Sequence, residues 1–238
     1  MRILAVDTAT SRVGAAFVDT SSGFVAEHGD VDPRRHAELL APAVRSVLAT
    51  AECALADLDL IVTGVGPGPY TGLRVSVVSA LTLGLVAHVP VVGVCTLDAF
   101  AWDAVRSAPA PVIVATDARR REVYWAQYDA QARRVAGPQV NKPADVLAAA
   151  ELNVVGPAAS LVIAGAANVE LHVAALAEVA ADAIGAGEVV DAAGEHAVWG
   201  EQNTDGAGLV PQHTLLLARP LYLRQPDAQV PLALRGAH

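Results

Sequence analysis

Two short stretches of the 238-residue chain carry residues that could do chemistry on a phosphate. Asp7-Thr8-Ala9-Thr10 ends an apolar run near the N-terminus, and Gly66-Pro67-Gly68-Pro69-Tyr70-Thr71-Gly72 follows a second run. Glycines let a backbone approach an anion, and a helix that starts behind them offers free N–H groups and the positive end of its dipole. Asp7, Thr8, Gly66, Gly68 and Thr71 are therefore candidate remnants of a phosphate-binding loop pair. The same glycines would serve a tight strand-to-helix turn equally well. Pro67 and Pro69 bring no N–H to a phosphate and count against a cradle.

Other familiar chemistries fail on composition or spacing. Lys142 is the only lysine, so no Gly-x-x-x-x-Gly-Lys loop exists, and there is no Gly-x-Ser-x-Gly elbow. The histidines at 28, 36, 88, 172, 196, 213 and 238 include no pair three or four apart, so none form a helical metal pair. Cys53 and Cys95 lie far apart among apolar neighbours, which suits reduced thiols better than a disulfide or a metal clip. Arg119-Arg120-Arg121 could be an anion patch, but at a turn before a strand it reads first as a solvated hairpin tip. The formal net charge of −9 repels phosphate backbones on average, so the chain is not expected to grip nucleic acid alone.

The elements that must position the loops follow from apolar patterning. Ile3–Val6, Val13–Val18 and Phe24–Glu27 read as strands, followed by a helix capped by Asp32-Pro33 and carrying Leu39, Leu40, Ala43, Val44, Val47 and Leu48 at helical spacing. Pro42 inside it predicts a kink or a late start. Leu60–Val65 is a strand, Thr71–Ala87 a helix, Pro90–Cys95 a strand and Leu97–Arg106 a helix. Strands separated by helices run parallel, and the first three can form a meander, so the expected class is α/β with a mixed sheet flanked by helices. Beyond a linker at Ala108-Pro109-Ala110-Pro111, strands are expected at 112–116, 123–128, 134–138 and 161–164, with helices at 143–150 and 173–184. Residues 185–213 are Gly- and Ala-rich and poorly patterned.

The helix behind the glycine loop has an unusual face. Gly72, Ser76, Ala80 and Gly84 recur every fourth residue as a rib of small side chains, while Val75, Val78, Leu81 and Leu85 make the rest apolar. A small rib lets another helix come close. The chain's own first helix could cover it, or the two helices together could present an apolar face to another protein. The span from Val75 to Leu97 has no Asp, Glu, Lys or Arg, but Gly84, His88 and Pro90 interrupt it, so a membrane span is not expected. The start reaches Asp7 before any signal-peptide core could form, and the expected location is cytoplasmic.

ILAVDTATS, GPGPYTGLRVSVVSALTLG, DARRREVYWAQYD and PLYLRQPDA, in that order, resemble the TsaB (YeaZ) family. The match spans nearly the whole chain and is weakest from Gly185 to His213. The resemblance implies an actin-like or sugar-kinase-like fold of two related subdomains, here residues 1–108 and 109–238, with a C-terminal tail able to return to the first. It also implies a role in making threonylcarbamoyladenosine in bacterial tRNA, as a non-catalytic scaffold for the catalytic paralogue TsaD and the ATPase TsaE.

That paralogue carries a His-x-x-x-His metal motif after the strand that follows the glycine-loop helix. Thr96 and Phe100 stand at those two positions here, and phenylalanine has no lone pair for a metal. The resemblance thus implies no catalytic residue, metal or cofactor in this chain. It implies a partner interface on the two helices, through Leu39, Leu40, Ala43, Val47, Gly72, Leu73, Ser76 and Ala80. Without its partner the chain is expected to pair with itself, and to meet tRNA only through the complex. The alternative is a stand-alone small-metabolite kinase or ATPase of the same fold, favoured by Asp7 and the 66–72 loop and opposed by the single lysine and the two prolines.

Overall fold

Alternation along the first strand decides the layers. The computed structural model describes residues 1–32, 35–148, 152–188 and 215–223. In it β1 (Arg2–Asp7) sends Leu4 and Val6 to one core and Ile3 and Ala5 to another. A strand buried on both faces reads as an unbroken apolar run, as ILAV does. β2 (Arg12–Asp19) and β3 (Phe24–Val31) complete an antiparallel meander with β1. After α1 (His36–Thr50), β4 (Leu60–Gly64) returns parallel to β1. After α2 (Tyr70–Ala87), β5 (Val91–Val94) runs parallel to β4. α3 (Thr96–Ser107) then leads away from this sheet.

The second half repeats the plan. β6 (Val112–Asp117), β7 (Val123–Tyr128) and β8 (Arg134–Asn141) form another antiparallel meander. α4 (Pro143–Ala148) follows, and β9 (Asn153–Val155) lies parallel to β6 as β4 lies parallel to β1. α5 (Ala159–Val162) and α6 (Ala174–Gly185) come next, and β10 (Leu215–Leu216) crosses back to pair antiparallel with β5. The sheets are ordered β10-β5-β4-β1-β2-β3 and β8-β7-β6-β9. Two mixed sheets built on one plan and flanked by helices make this an actin-like α/β fold.

One core lies between the sheets. α3 and α6 pack there, with Leu97, Phe100, Leu176 and Ala180 meeting Ile3, Ala5 and Val62 of the first sheet and Val114 and Tyr128 of the second. α1 covers the far face of the first sheet through Leu40, Ala43, Val44 and Val47. α6, from the second half of the chain, touches β1, β2 and β4, so the return to the first sheet begins well before β10.

Several expectations differ in detail. The first helix begins at His36, with Arg35 at its cap position, rather than behind Asp32, and Pro42 lies inside it on the exposed side. Pro33 is outside the described residues, as are 149–151 and 189–214, where the end of the fourth helix and most of the poorly patterned segment fall. The strand expected at 161–164 is instead the turn of helix α5, and β9 lies before it. Asn153-Val154-Val155 is too short to announce itself, and pairing with β6 decides its state.

A buried charge ties the middle helix to the second sheet. The carboxylate of Asp98, in the first turn of α3, accepts from the Tyr128 hydroxyl at 2.6 Å and from Arg134 Nε at 3.0 Å, with a further bond from Arg134 Nη2. The side chains of Asp98 and Arg134 are 8% and 5% exposed, so each charge depends on the other for its solvation. Burial, and then the charge of Asp98, push the Tyr128 hydroxyl well above its ordinary range and keep it a donor. Asp98→Ala should therefore destabilise the fold by about 3–5 kcal/mol in urea melts, because it strands the guanidinium. A loss below about 1 kcal/mol, as for an exposed pair, would show that water replaces the carboxylate.

Candidate functional site

Three strand ends converge on the loops singled out in the sequence. β1 delivers Asp7 and Thr8, β4 delivers Thr63 and Gly64, and β5 runs through Cys95 into Thr96. Asp7 Oδ1 accepts from the N–H of Ala9 at 2.7 Å, and Oδ2 accepts from the Thr96 hydroxyl at 2.7 Å. That hydroxyl oxygen in turn accepts from the N–H of Gly66 at 3.3 Å, while the N–H of Thr96 donates to the Gly66 carbonyl at 2.8 Å. Thr8 donates to the Gly72 carbonyl at 2.6 Å and accepts from the N–H of Ser76 at 3.0 Å. Asp7, Thr8, Ser76 and Thr96 are all buried. Each makes hydrogen bonds to the other loop or to its own.

The glycines explain how the loops come so close. A Cβ on Gly64 would collide with the Asp7 carboxylate, one on Gly68 with the Ala9 carbonyl, and one on Gly72 with the Thr8 carbonyl. The backbone approach that glycine would have offered to a phosphate is taken up by the other loop. Asp7, Thr8, Gly66 and Gly68 are thus brought together, and Thr71 stands exposed at the start of α2. Thr96 and Phe100, where the resemblance would put a metal-binding pair, are core positions. Thr96 is tied to Asp7, and Phe100 is 3% exposed between the sheets.

The interface expected on the small rib does not face outward. Gly72, Ser76, Ala80 and Gly84 are buried in this chain, as are Leu73, Leu40, Ala43 and Val47, and Leu39 is half-buried. The close approach that small side chains permit is made by the chain's own Thr8 loop and sheet, with Gly84 set against Val89 and Val91. The bulky residues are therefore turned out. Val78, Leu81, Leu85 and Val86 are 58%, 46%, 76% and 69% exposed, an apolar stripe along α2. Spacing marks Val78, Leu81 and Leu85 as apolar but not Val86, and leaves open whether the rib meets the chain's own first helix or a partner. Both faces were apolar, and periodicity alone gives no sign of which one the sheet takes.

The stripe begins at a ring stack. Tyr70 stacks on Tyr222 with centroids 4.9 Å apart, and the Arg74 guanidinium lies 4.6 Å from the Tyr70 centroid. Leu221, almost fully buried, donates its N–H to the Val65 carbonyl at 2.7 Å, so the C-terminal segment pins the glycine loop from behind. α2 is also long and apolar enough, by length and composition, to cross a membrane, but its small-residue face is occupied by the sheet.

Arg119, Arg120 and Arg121 sit at the tip of the β6–β7 hairpin, all exposed and all left-handed, with φ of 61°, 55° and 63°. Each costs about 1–2 kcal/mol in that region relative to the right-handed one. Cys53 and Cys95 are free, and burial pushes the Cys95 thiol up to about 12, so it is inert at neutral pH.

Comparison with known proteins places these features in a family. Residues 15–198 match the family model described as TsaD, tRNA N6-adenosine threonylcarbamoyltransferase. An uncharacterized protein of Mycobacterium tuberculosis is 45% identical over 165 residues, 69% of this chain and 72% of its own. The Escherichia coli tRNA threonylcarbamoyladenosine biosynthesis protein TsaB is 41% identical over 129 residues, 54% of this chain and 55% of its own. The crystal structure of an uncharacterized Pseudomonas aeruginosa protein with similarity to peptidase YEAZ superposes with a TM-score of 0.71. It shares 29% identity over 94% of this chain and 99% of its own.

Burial raises Asp7 to about 6, against the lowering effect of its bonds from Thr96 and Ala9. The folded state then holds this proton more tightly than the unfolded state. The resulting stability is fully present below about pH 4 and is lost as pH rises through 6. Over that window it amounts to about 3 kcal/mol. Asp7→Asn should flatten that part of the stability curve in urea melts between pH 4 and pH 7.5. Asp103, also raised to about 6 by burial, titrates alongside, so the quantity to read is the difference between variant and parent. A variant curve parallel to the parent's would mean that Asp7 ionises as freely in the fold as in water.

Proposed function

The chain belongs to the TsaB (YeaZ) family of tRNA threonylcarbamoyladenosine biosynthesis proteins, and from that premise we propose that it is the non-catalytic scaffold subunit of the tRNA-modifying complex. It holds a TsaD-like catalytic paralogue, assembles with a TsaE-like ATPase and pairs with itself when alone. The observation that carries this reading is the exposed apolar stripe Val78, Leu81, Leu85 and Val86 on a helix whose other face is already packed. Burying such a stripe is favourable by about 25 cal/mol per Å² of apolar surface, and isologous self-contact is the default when the intended partner is missing.

Two further features support a scaffold over an enzyme. Thr96 and Phe100 offer no metal ligand pair, and the polar groups of the loop pair bond one another. The alternative, a small-metabolite kinase or ATPase, needs those loops to part and their hydrogen bonds to be replaced by a nucleotide's. The division at residues 108–109, with the last segments returning across the first sheet, belongs to the same reading.

Leu81→Asp with Leu85→Asp should abolish capture of the catalytic paralogue and any self-association in size-exclusion chromatography, with far-ultraviolet circular dichroism and melting unchanged. Ala80→Trp, on the inward face, should instead overpack the core and lower stability by roughly 1–3 kcal/mol. Wild-type association by the folded double variant would remove α2 from the interface. ATP turnover by the isolated chain would favour the alternative.

A further inference from the structure

The two hairpins that open the two halves have had opposite fates. The turn after β1 is covered. Asp7, Thr8 and Thr10 are buried, and the 64–72 loop lies on Ala9 and Thr8. The matching turn after β6 is not. Its counterpart loop, after β9, packs instead on Ala115, where Ala158 donates its N–H to the Ala115 carbonyl and a Cβ on Gly156 would meet the same oxygen at 2.5 Å. Arg119, Arg120 and Arg121 are left exposed beyond it.

The left-handed backbone does not itself call for arginine at these positions. Glycine or asparagine would take the left-handed conformation more cheaply at all three positions. Among the described residues Arg119 pairs with Asp117 at 3.3 Å, between groups that are both well exposed, and such pairs contribute little. Arg121 has no partner among the described residues. Three adjacent exposed arginines with positive φ make the hairpin tip a compact patch of positive charge. The mount is stiff, since Val112–Thr116 and Val123–Ala126 are buried on either side.

We propose that Arg119, Arg120 and Arg121 form a phosphate-contacting tip that engages an RNA backbone. Guanidinium forks match phosphate oxygens, and three adjacent guanidiniums suit a run of backbone phosphates better than one anion. In a chain of net charge −9 such a tip sets where the RNA touches without giving strong binding by itself. The choice of RNA rests on the tRNA-modification reading above, but the measurement does not need the complex.

The test is tRNA binding by the isolated full-length chain across a salt series beginning at low ionic strength, for example by fluorescence anisotropy. Arg119→Asn/Arg120→Gly/Arg121→Asn, chosen to suit the left-handed backbone, should keep its fold and lose at least about tenfold in affinity at the lowest salt. Its log-affinity against log-salt slope should shrink by about 2–3, at roughly 0.7–0.9 per phosphate contact. Lysine at all three positions should keep most of the slope. Wild-type binding and slope in the neutral variant, or no binding by the parent chain even at low salt, overturns the proposal. Competition by polyglutamate as strong as by RNA overturns the choice of RNA in favour of an acidic protein. Loss of paralogue capture in the stripe variants would leave these slopes untouched, so the two readings fail separately.

Discussion

The molecule is organised around a backbone-on-backbone contact. Gly64, Gly68 and Gly72 let the segment behind β4 lie directly against Asp7, Ala9 and Thr8, at distances no side chain would permit. Once the loops touch, their polar groups have to satisfy one another. Asp7 takes Ala9 and Thr96, Thr8 takes Gly72 and Ser76, and Thr96 takes Gly66. The arrangement leaves the polar groups of the two loops bonded to one another. Its cost is a carboxylate held out of water, which is why Asp7 is raised to about 6.

The same contact fixes the rotation of α2. Thr8 bonds both the Gly72 carbonyl and the Ser76 N–H, so the first two turns of the helix are clamped with the small residues inward. Ala80 and Gly84 follow onto the sheet side at the same helical spacing, and the large apolar residues are turned to the outside. The helix ends at His88 in the left-handed conformation. The return of the C-terminal segment, with Leu221 on Val65 and Tyr222 on Tyr70, holds the start of the same helix from the other direction. Packing thus converts a helix that is apolar all round into one with a satisfied face and an unsatisfied one.

The repeated plan makes the differences between the halves informative. Both have a meander, a helix and a parallel strand beside the first. In the first half the loop after the parallel strand folds over the hairpin turn, and in the second it folds under it, onto Ala115. Asp98 of α3 joins the halves through Tyr128 and Arg134, so the layer between the sheets is tied by a buried ion pair as well as by apolar contact.

Much of this was legible in the sequence. The strand and helix order through Arg106, the meander of the second half and the family resemblance all follow from local apolar patterning, turn residues and ordered motifs. The short strand Asn153–Val155 is not legible there, and the helical turn Ala159–Val162 stands where a strand at 161–164 is expected, because a few residues carry too little periodicity to outweigh tertiary pairing. Which face of α2 is exposed was decided only by the tertiary structure. The sequence determines that Gly72, Ser76, Ala80 and Gly84 share one side and Val78, Leu81 and Leu85 another, but helical spacing is indifferent to which side meets the sheet. That choice follows from the space between two backbones, where only the small residues fit against Thr8 and β4.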